Sequence, residues 1–219
     1  WVTGTSYGII SPLTNVRDDA YGGPIEQRMR FPLEVFAAMR ANFPDDKPMS
    51  VRVSACDWAE GGLSEADLVA ACHMLSDAGV DVISVSTGQT VSDARRVYGR
   101  VFPVPFSELV RSRVGIPTIV AGNIYSADQV NTVVISGRAD LVALARPSLT
   151  DPYFTLRAAA SYGYEGQFWP APYHSGRNQA YMLLGRDREE QQRMRRELKP
   201  ASHEVVDDTP GDASEHRAA

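Results

Sequence analysis

"IPTIVAGNIYSADQVNTVVISGRADLVALARP" (116–147) decides the fold. Its two ends, "IPTIVAGN" (116–123) and "ADLVALARP" (139–147), are nearly continuous apolar runs, β-branched or Leu-rich, bounded by Gly, Pro or Asp. A strand with one wet face would alternate, so these runs read as strands covered on both faces in a parallel sheet. Between them Ser126 reads as the N-cap of a helix carrying Val130, Val133 and Val134 and ending near Gly137. Strand, helix and strand within about 30 residues make one βαβ unit.

The same alternation extends upstream. "PMSVRVSA" (48–55) and "VDVISVSTG" (80–88) are two further apolar runs. A helix over 64–78 joins them, opened by Ser64 and Glu65, with Leu68, Cys72 and Leu75 on one stripe and a stop at Gly79. "PFSELVRSRVG" (105–115) supplies the next helix. Ahead of the first strand, "GGPIEQRMRFPLEVFAAMRANF" (22–43) places Ile25, Met29, Leu33 and Phe36 on one helical face, with a bend expected at Pro32. "YGII" (7–10) looks strand-like. The class is α/β with a parallel sheet, and a doubly wound sheet and a (β/α) barrel both fit this pattern.

The pattern changes after residue 150. "DPYFTLRAAASYG" (151–163) reads as a last helix and "YEGQFWPAPYHSGRNQ" (164–179) as an aromatic, Pro-rich connector. "QAYMLLGRDREEQQRMRRELK" (179–199) reads as a charged surface helix, and the small, polar tail from Pro200 as disordered. The expected organisation is an α/β part over 1–165, a connector and charged helix over 166–199, and a tail over 200–219.

Composition narrows the function. With 43% hydrophobic residues, the 219-residue chain can support a core, and a net charge of -5 disfavours a nucleic-acid partner. Cys56 and Cys72 stand singly, without metal-ligand or redox spacing, as thiols do in a reducing cytosol. No apolar run approaches the ~18 residues of a membrane span. The expected location is cytoplasmic, with no membrane partner. No Walker loop, G-x-G-x-x-G or Ser-His-Asp arrangement is present.

Two strand ends are candidates for chemistry. "VAGN" ends one strand and "ALARP" the next, each followed by a helix. Small residues there let backbone amides approach an anion, and adjacent strand ends of this kind hold phosphate in (β/α) barrels. Arg146 adds a cation suited to phosphate oxygens. Gly122 and Ala145 would equally serve tight turns. Arg52, inside "VRVS", needs either a salt-bridge partner or an electron-rich ligand.

Together these stretches resemble the old yellow enzyme family of FMN-dependent ene-reductases. "SPLTNVRDDAYGGPIEQRMRFPLEVFAAMR" (11–40) is similar to that family's Ser-Pro-Leu-x-Asn-x-Arg-x-Asp-x-Tyr-Gly-Gly stretch and the helix after it. "VRVS", "VSTG", "IVAGN" and "GRADLVALARPSLTDP" follow in the family's order, so the likeness covers residues 9 to about 160. A narrower likeness, in "VSTGQTVSDARRVYGR" (85–100), "DPYFTLRAAA" (151–160) and "WPAPYHSGRNQAY" (169–181), is to the reductase part of bifunctional aromatic acyl-CoA enzymes. That group includes salicylyl-CoA 5-hydroxylase and 2-aminobenzoyl-CoA monooxygenase/reductase.

The resemblance implies an FMN-binding (β/α)8 (TIM) barrel, of which the four strands here would be the fifth to eighth, followed by a C-terminal helical extension. It implies that Arg52 faces the N1/C2=O edge of the flavin. It also implies that Gly122, Asn123, Ala145 and Arg146 bind the FMN phosphate, although the family often has Gly-Gly and Gly-Arg there. The implied chemistry is hydride transfer from NAD(P)H through the flavin to an activated alkene or aromatic acyl-CoA substrate. In the family a His-His or His-Asn pair polarises the substrate and a Tyr supplies a proton. Counted back from Ser11, the second His and the following Gly-Tyr fall on Val2, Thr3 and Gly4, the first His falls before residue 1, and Tyr7 is offset by three. No catalytic residue is therefore assigned. The expectation is a chain entered between the fourth and fifth strands, needing the other half-barrel or self-association. The competing expectation is a catalytically silent half-barrel that binds phosphate or serves in assembly.

Overall fold

The computed structural model describes residues 7–88 and 90–198. In chain order its elements are α1 (Tyr7–Ile10), α2 (Ile25–Arg28), α3 (Arg30–Arg40), β1 (Ser50–Ser54), α4 (Glu65–Asp77), β2 (Val82–Ser86) and α5 (Val104–Val114). β3 (Thr118–Ala121), α6 (Ala127–Ile135), β4 (Leu141–Ala143), α7 (Arg146–Thr150), α8 (Phe154–Tyr162) and α9 (His174–Glu197) follow. Contacts divide the chain into two compact units between Phe154 and Thr155.

The first unit is built on one sheet of four parallel strands in the order β1-β2-β3-β4. Each crossover advances the sheet in the same direction, and right-handed connections then place the helices on one face. In register, Val51 and Val53 meet Ile83 and Val85, which meet Thr118 and Val120. These side chains share the helix-covered face, where Leu68, Ala71, Cys72 and Leu75 of α4 and Val110 of α5 close the core. Truncating a fully buried member such as Leu68 to Ala would cost about 2–5 kcal/mol. The opposite face presents Arg52, Ser54, Ser84, Ser86 and Ala121. Ile119 and Leu141 lie on this face too, so its polar side chains are concentrated on β1 and β2.

Local signals behave as physics dictates at most boundaries. Ser64 and Ser126 cap α4 and α6 through their side-chain oxygens, and Gln129 completes a capping box at α6. Gly115, left-handed at φ 77°, ends α5.

In the first unit four expectations are corrected. "YGII" forms a helical turn, because side chains rather than a neighbouring strand take its carbonyls: Thr14 Oγ1 donates to Gly8 and Asn15 Nδ2 to Ile9. The break expected at Pro32 falls one turn earlier, at Met29, since Pro32 cannot donate to the carbonyl of Arg28. Val134 lies on the exposed side of α6, and only Val133 of the three valines is fully buried. The fourth strand spans three residues, and Leu141 is 56% exposed, as an edge position allows.

In the second unit α9 begins at His174, inside the stretch read as a connector, after a 3-10 turn over Ala171–Tyr173. Arg188 on α9 donates to the Ala160 carbonyl of α8 at 3.2 Å, and Tyr181 packs against Trp169 at 6.5 Å. The tail read as disordered from Pro200 lies outside the described residues.

Candidate functional site

The C-terminal end of β3 turns sharply. Gly122 adopts φ +126°, and a Cβ there would stand 3.1 Å from Pro103 Cγ, so both the conformation and the space call for glycine. Asn123 follows in the left-handed region at φ 54°, which asparagine tolerates better than most residues. Its side chain is spent on the loop: Nδ2 donates to the Gly99 carbonyl and Oδ1 accepts from the Tyr125 hydroxyl. The Asn123 carbonyl accepts from Val101 N–H at 3.1 Å. The N–H groups of Tyr125 and Ser126 both go to Gln129 Oε1. The turn is thus held rigid by its own polar groups.

The end of β4 is the companion piece. Ala145 leads into the short α7, whose first residue is Arg146 and second Pro147. Arg146 is exposed and makes no ion pair with any described carboxylate. Arg52 likewise has no carboxylate partner among the described residues; its Nε donates to Ser86 Oγ at 3.1 Å, and that hydroxyl donates to the Val53 carbonyl at 3.1 Å. The salt-bridge alternative for Arg52 therefore finds no partner in the described structure.

All five residues singled out from sequence (Arg52, Gly122, Asn123, Ala145 and Arg146) line one cleft of about 220 Å³. No acidic residue lines it, so two unpaired guanidinium groups set its sign within an acidic chain. Sequence reasoning missed Ser84, which also lines the cleft. It is 1% exposed, and its Oγ has no hydrogen-bond partner among the described residues. An orphaned buried hydroxyl is costly, and here it points to a ligand group absent from the protein itself. The alternation of serines with Ile83 and Val85 in "VISVS" was the available signal.

The segment 11–15 is latched near the strand ends. Ser11 Oγ donates to the buried carboxylate of Asp57 at 2.8 Å, and Leu63 N–H donates to the same oxygen at 2.8 Å. Arg28, 4% exposed, donates to the carbonyls of Ile10 and Gly23 and pairs with Asp67 at 3.1 Å. Val2, Thr3 and Gly4, where the substrate-activating residues would align, lie outside the described residues. Among the described residues no cluster of metal-ligating side chains occurs, and no helix is long and apolar enough to cross a membrane.

Residues 8–163 match the model of the NADH:flavin oxidoreductase / NADH oxidase family. The chain belongs to this family. An NADPH dehydrogenase of Clostridium acetobutylicum is 38% identical over 170 residues, covering 77% of this chain and 49% of that protein. One from Geobacillus thermodenitrificans is 42% identical over 154 residues, covering 70% and 44%. The chain thus spans about half the length of the curated relatives it matches. Among solved structures, 2-naphthoyl-CoA reductase in complex with 2-naphthoyl-CoA aligns with TM-score 0.63 and 24% identity, over 72% of this chain and 24% of that one. Histamine dehydrogenase from Rhizobium sp. 4-9 aligns with TM-score 0.61 and 25% identity, over 74% and 23%.

The NADH:flavin oxidoreductases, the old yellow enzyme family, use FMN with NAD(P)H as electron donor. The cleft fits that cofactor. A phosphate monoester suits strand ends of small residues beside Arg146, and the orphaned Ser84 hydroxyl and the unpaired Arg52 suit a polar, electron-rich ring edge.

Proposed function

We propose that this chain contributes the FMN-phosphate end of an NAD(P)H-dependent flavin oxidoreductase acting on an activated alkene or an aromatic acyl-CoA. The observation that supports it most is the convergence of Arg52, Gly122, Asn123, Ala145 and Arg146 on a single cleft without acidic residues. In this reading β1 to β4 are the fifth to eighth strands of a (β/α)8 barrel, and the polar face with Arg52 and Ser84 is the barrel interior. FMN, when bound, supplies the hydride relay between NAD(P)H and an electron-poor double bond. The loop at Gly122–Asn123 and the turn at Ala145–Arg146 hold the phosphate. Arg52 stabilises negative charge at the ring's edge, and Ser84 gives its hydroxyl to the same ligand.

The aromatic acyl-CoA class rests on the stretches at 85–100, 151–160 and 169–181. Strands preceding β1, supplied by another segment or another chain, would complete the barrel and the substrate-activating residues. Titrating the purified chain with FMN and recording the flavin absorbance tests the cofactor site, and NAD(P)H oxidation with that complex tests the reaction. A shifted flavin spectrum without NAD(P)H oxidation would favour the second reading, a phosphate-binding half-barrel without catalysis. The uncovered edges of β1 and β4 among the described strands are compatible with it.

A further inference from the structure

The loop between β2 and α5 contributes no residue to the lining of the cleft described above. Over residues 90–103 it holds Arg95, Arg96 and Arg100 against one carboxylate, Asp93. None of these guanidinium groups forms an ion pair among the described residues, and Arg96 donates to the Tyr98 hydroxyl at 3.1 Å. Three unpaired cations on one loop of an acidic chain make a local positive field suited to a polyanion.

The loop is anchored. Arg95 N–H donates to the Trp58 carbonyl at 2.8 Å, and Gly99 and Val101 are tied to Asn123 at the cleft. Tyr98 is 69% exposed, yet its ring sits edge-on against Phe102 at 5.8 Å. Phe102 meets Trp58 at 6.1 Å, and Trp58 meets Phe106 at 5.9 Å. An exposed ring at the outer end of a packed aromatic row is a stacking platform that loses little freedom on binding. A bare phosphate would not need the ring, and a nucleic acid would need a longer basic stripe.

We propose that this loop binds the adenosine phosphate group of a nucleotide-bearing ligand, Tyr98 stacking on the purine while Arg95, Arg96 and Arg100 take the phosphates. Coenzyme A thioesters and NADPH share that chemistry. The site deepens the flavin-oxidoreductase reading and rests on it for one point only, that the ligand's reactive end extends into the neighbouring cleft.

The test is calorimetric titration of the full chain with coenzyme A and, separately, with 2′,5′-ADP, alongside R95Q/R96Q/R100Q and Y98A variants checked for fold by circular dichroism. At least one probe is expected to bind. The triple variant should weaken it by about tenfold or more, and Y98A by about tenfold, the order of a lost charged contact or base stack. Binding of coenzyme A alone assigns the loop to the thioester, 2′,5′-ADP alone assigns it to NADPH, and both show that the common adenosine phosphate is read. The proposal is overturned if neither probe binds, or if the variants bind as the parent does. FMN retention, followed in parallel, should be the same in all variants. Loss of FMN binding in the parent, with nucleotide binding intact, would count against the cofactor cleft and leave this site standing.

Discussion

Arg52 on β1 stands directly opposite Ser84 on β2, and both line the cleft beside the ends of β3 and β4. Among the described residues one is a cation without a carboxylate partner, and the other a buried hydroxyl without a hydrogen-bond partner. A charge without a counter-charge and an orphaned hydroxyl, in register across neighbouring strands, are expensive in a protein that keeps them only for itself. In the proposed function their counterpart is the electron-rich edge of the flavin.

Ser84→Ala should therefore separate stability from binding. Removing the orphaned hydroxyl should leave the ligand-free chain as stable as before or more stable, by up to about 1 kcal/mol, while weakening FMN. Thermal unfolding with and without FMN reads both effects. A fall in stability without FMN, together with unchanged FMN affinity, would mean that the hydroxyl serves the fold.

Arg52→Ala should cost FMN affinity about 10- to 100-fold, the range of a lost charged hydrogen bond, as measured by flavin fluorescence titration. Arg52→Lys should recover only part of it, because an ammonium keeps the charge but not the planar fork. The circular dichroism spectrum should stay the same in both variants.

Gly122→Ala should strain the β3–α6 turn. The backbone there is at φ +126°, and the new methyl would press on Pro103. A loss of about 1–3 kcal/mol in denaturant unfolding is expected, together with weaker FMN retention. An unchanged midpoint would show that the turn relaxes without cost.

Cys72 sets a pH dependence. Burial in the core pushes its thiol up to about 12, above its ordinary value of 9.0. The unfolded chain then gives up its proton first, so this contribution to stability is complete below about pH 9 and falls as pH rises toward 12. Unfolding midpoints should drop through this window in the parent. Cys72→Ala should start lower, for lost packing, but decline less steeply.

Much of this architecture was legible in the residues. Continuous β-branched runs marked the four strands, and Ser64 and Ser126 marked helix starts, because those signals act within a few residues. "YGII" misled because its carbonyls are claimed by Thr14 and Asn15, contacts that no propensity encodes. The turn at Met29 was displaced from Pro32 because a proline disrupts the bond to the residue four positions earlier. At the site, charge and small residues exposed Arg52, Gly122 and Arg146. Ser84 was missed because the serine alternation in "VISVS" shows a polar face but not, without the strand register, that this face lines the cleft.

Comparing FMN with riboflavin on the purified chain tests the phosphate-end cleft most directly. The two ligands share the ring and differ at the phosphate, so FMN should bind at least about tenfold more tightly, and Arg146→Ala should remove most of that advantage. Equal affinity for riboflavin and FMN, or no binding of FMN at all, would contradict the assignment.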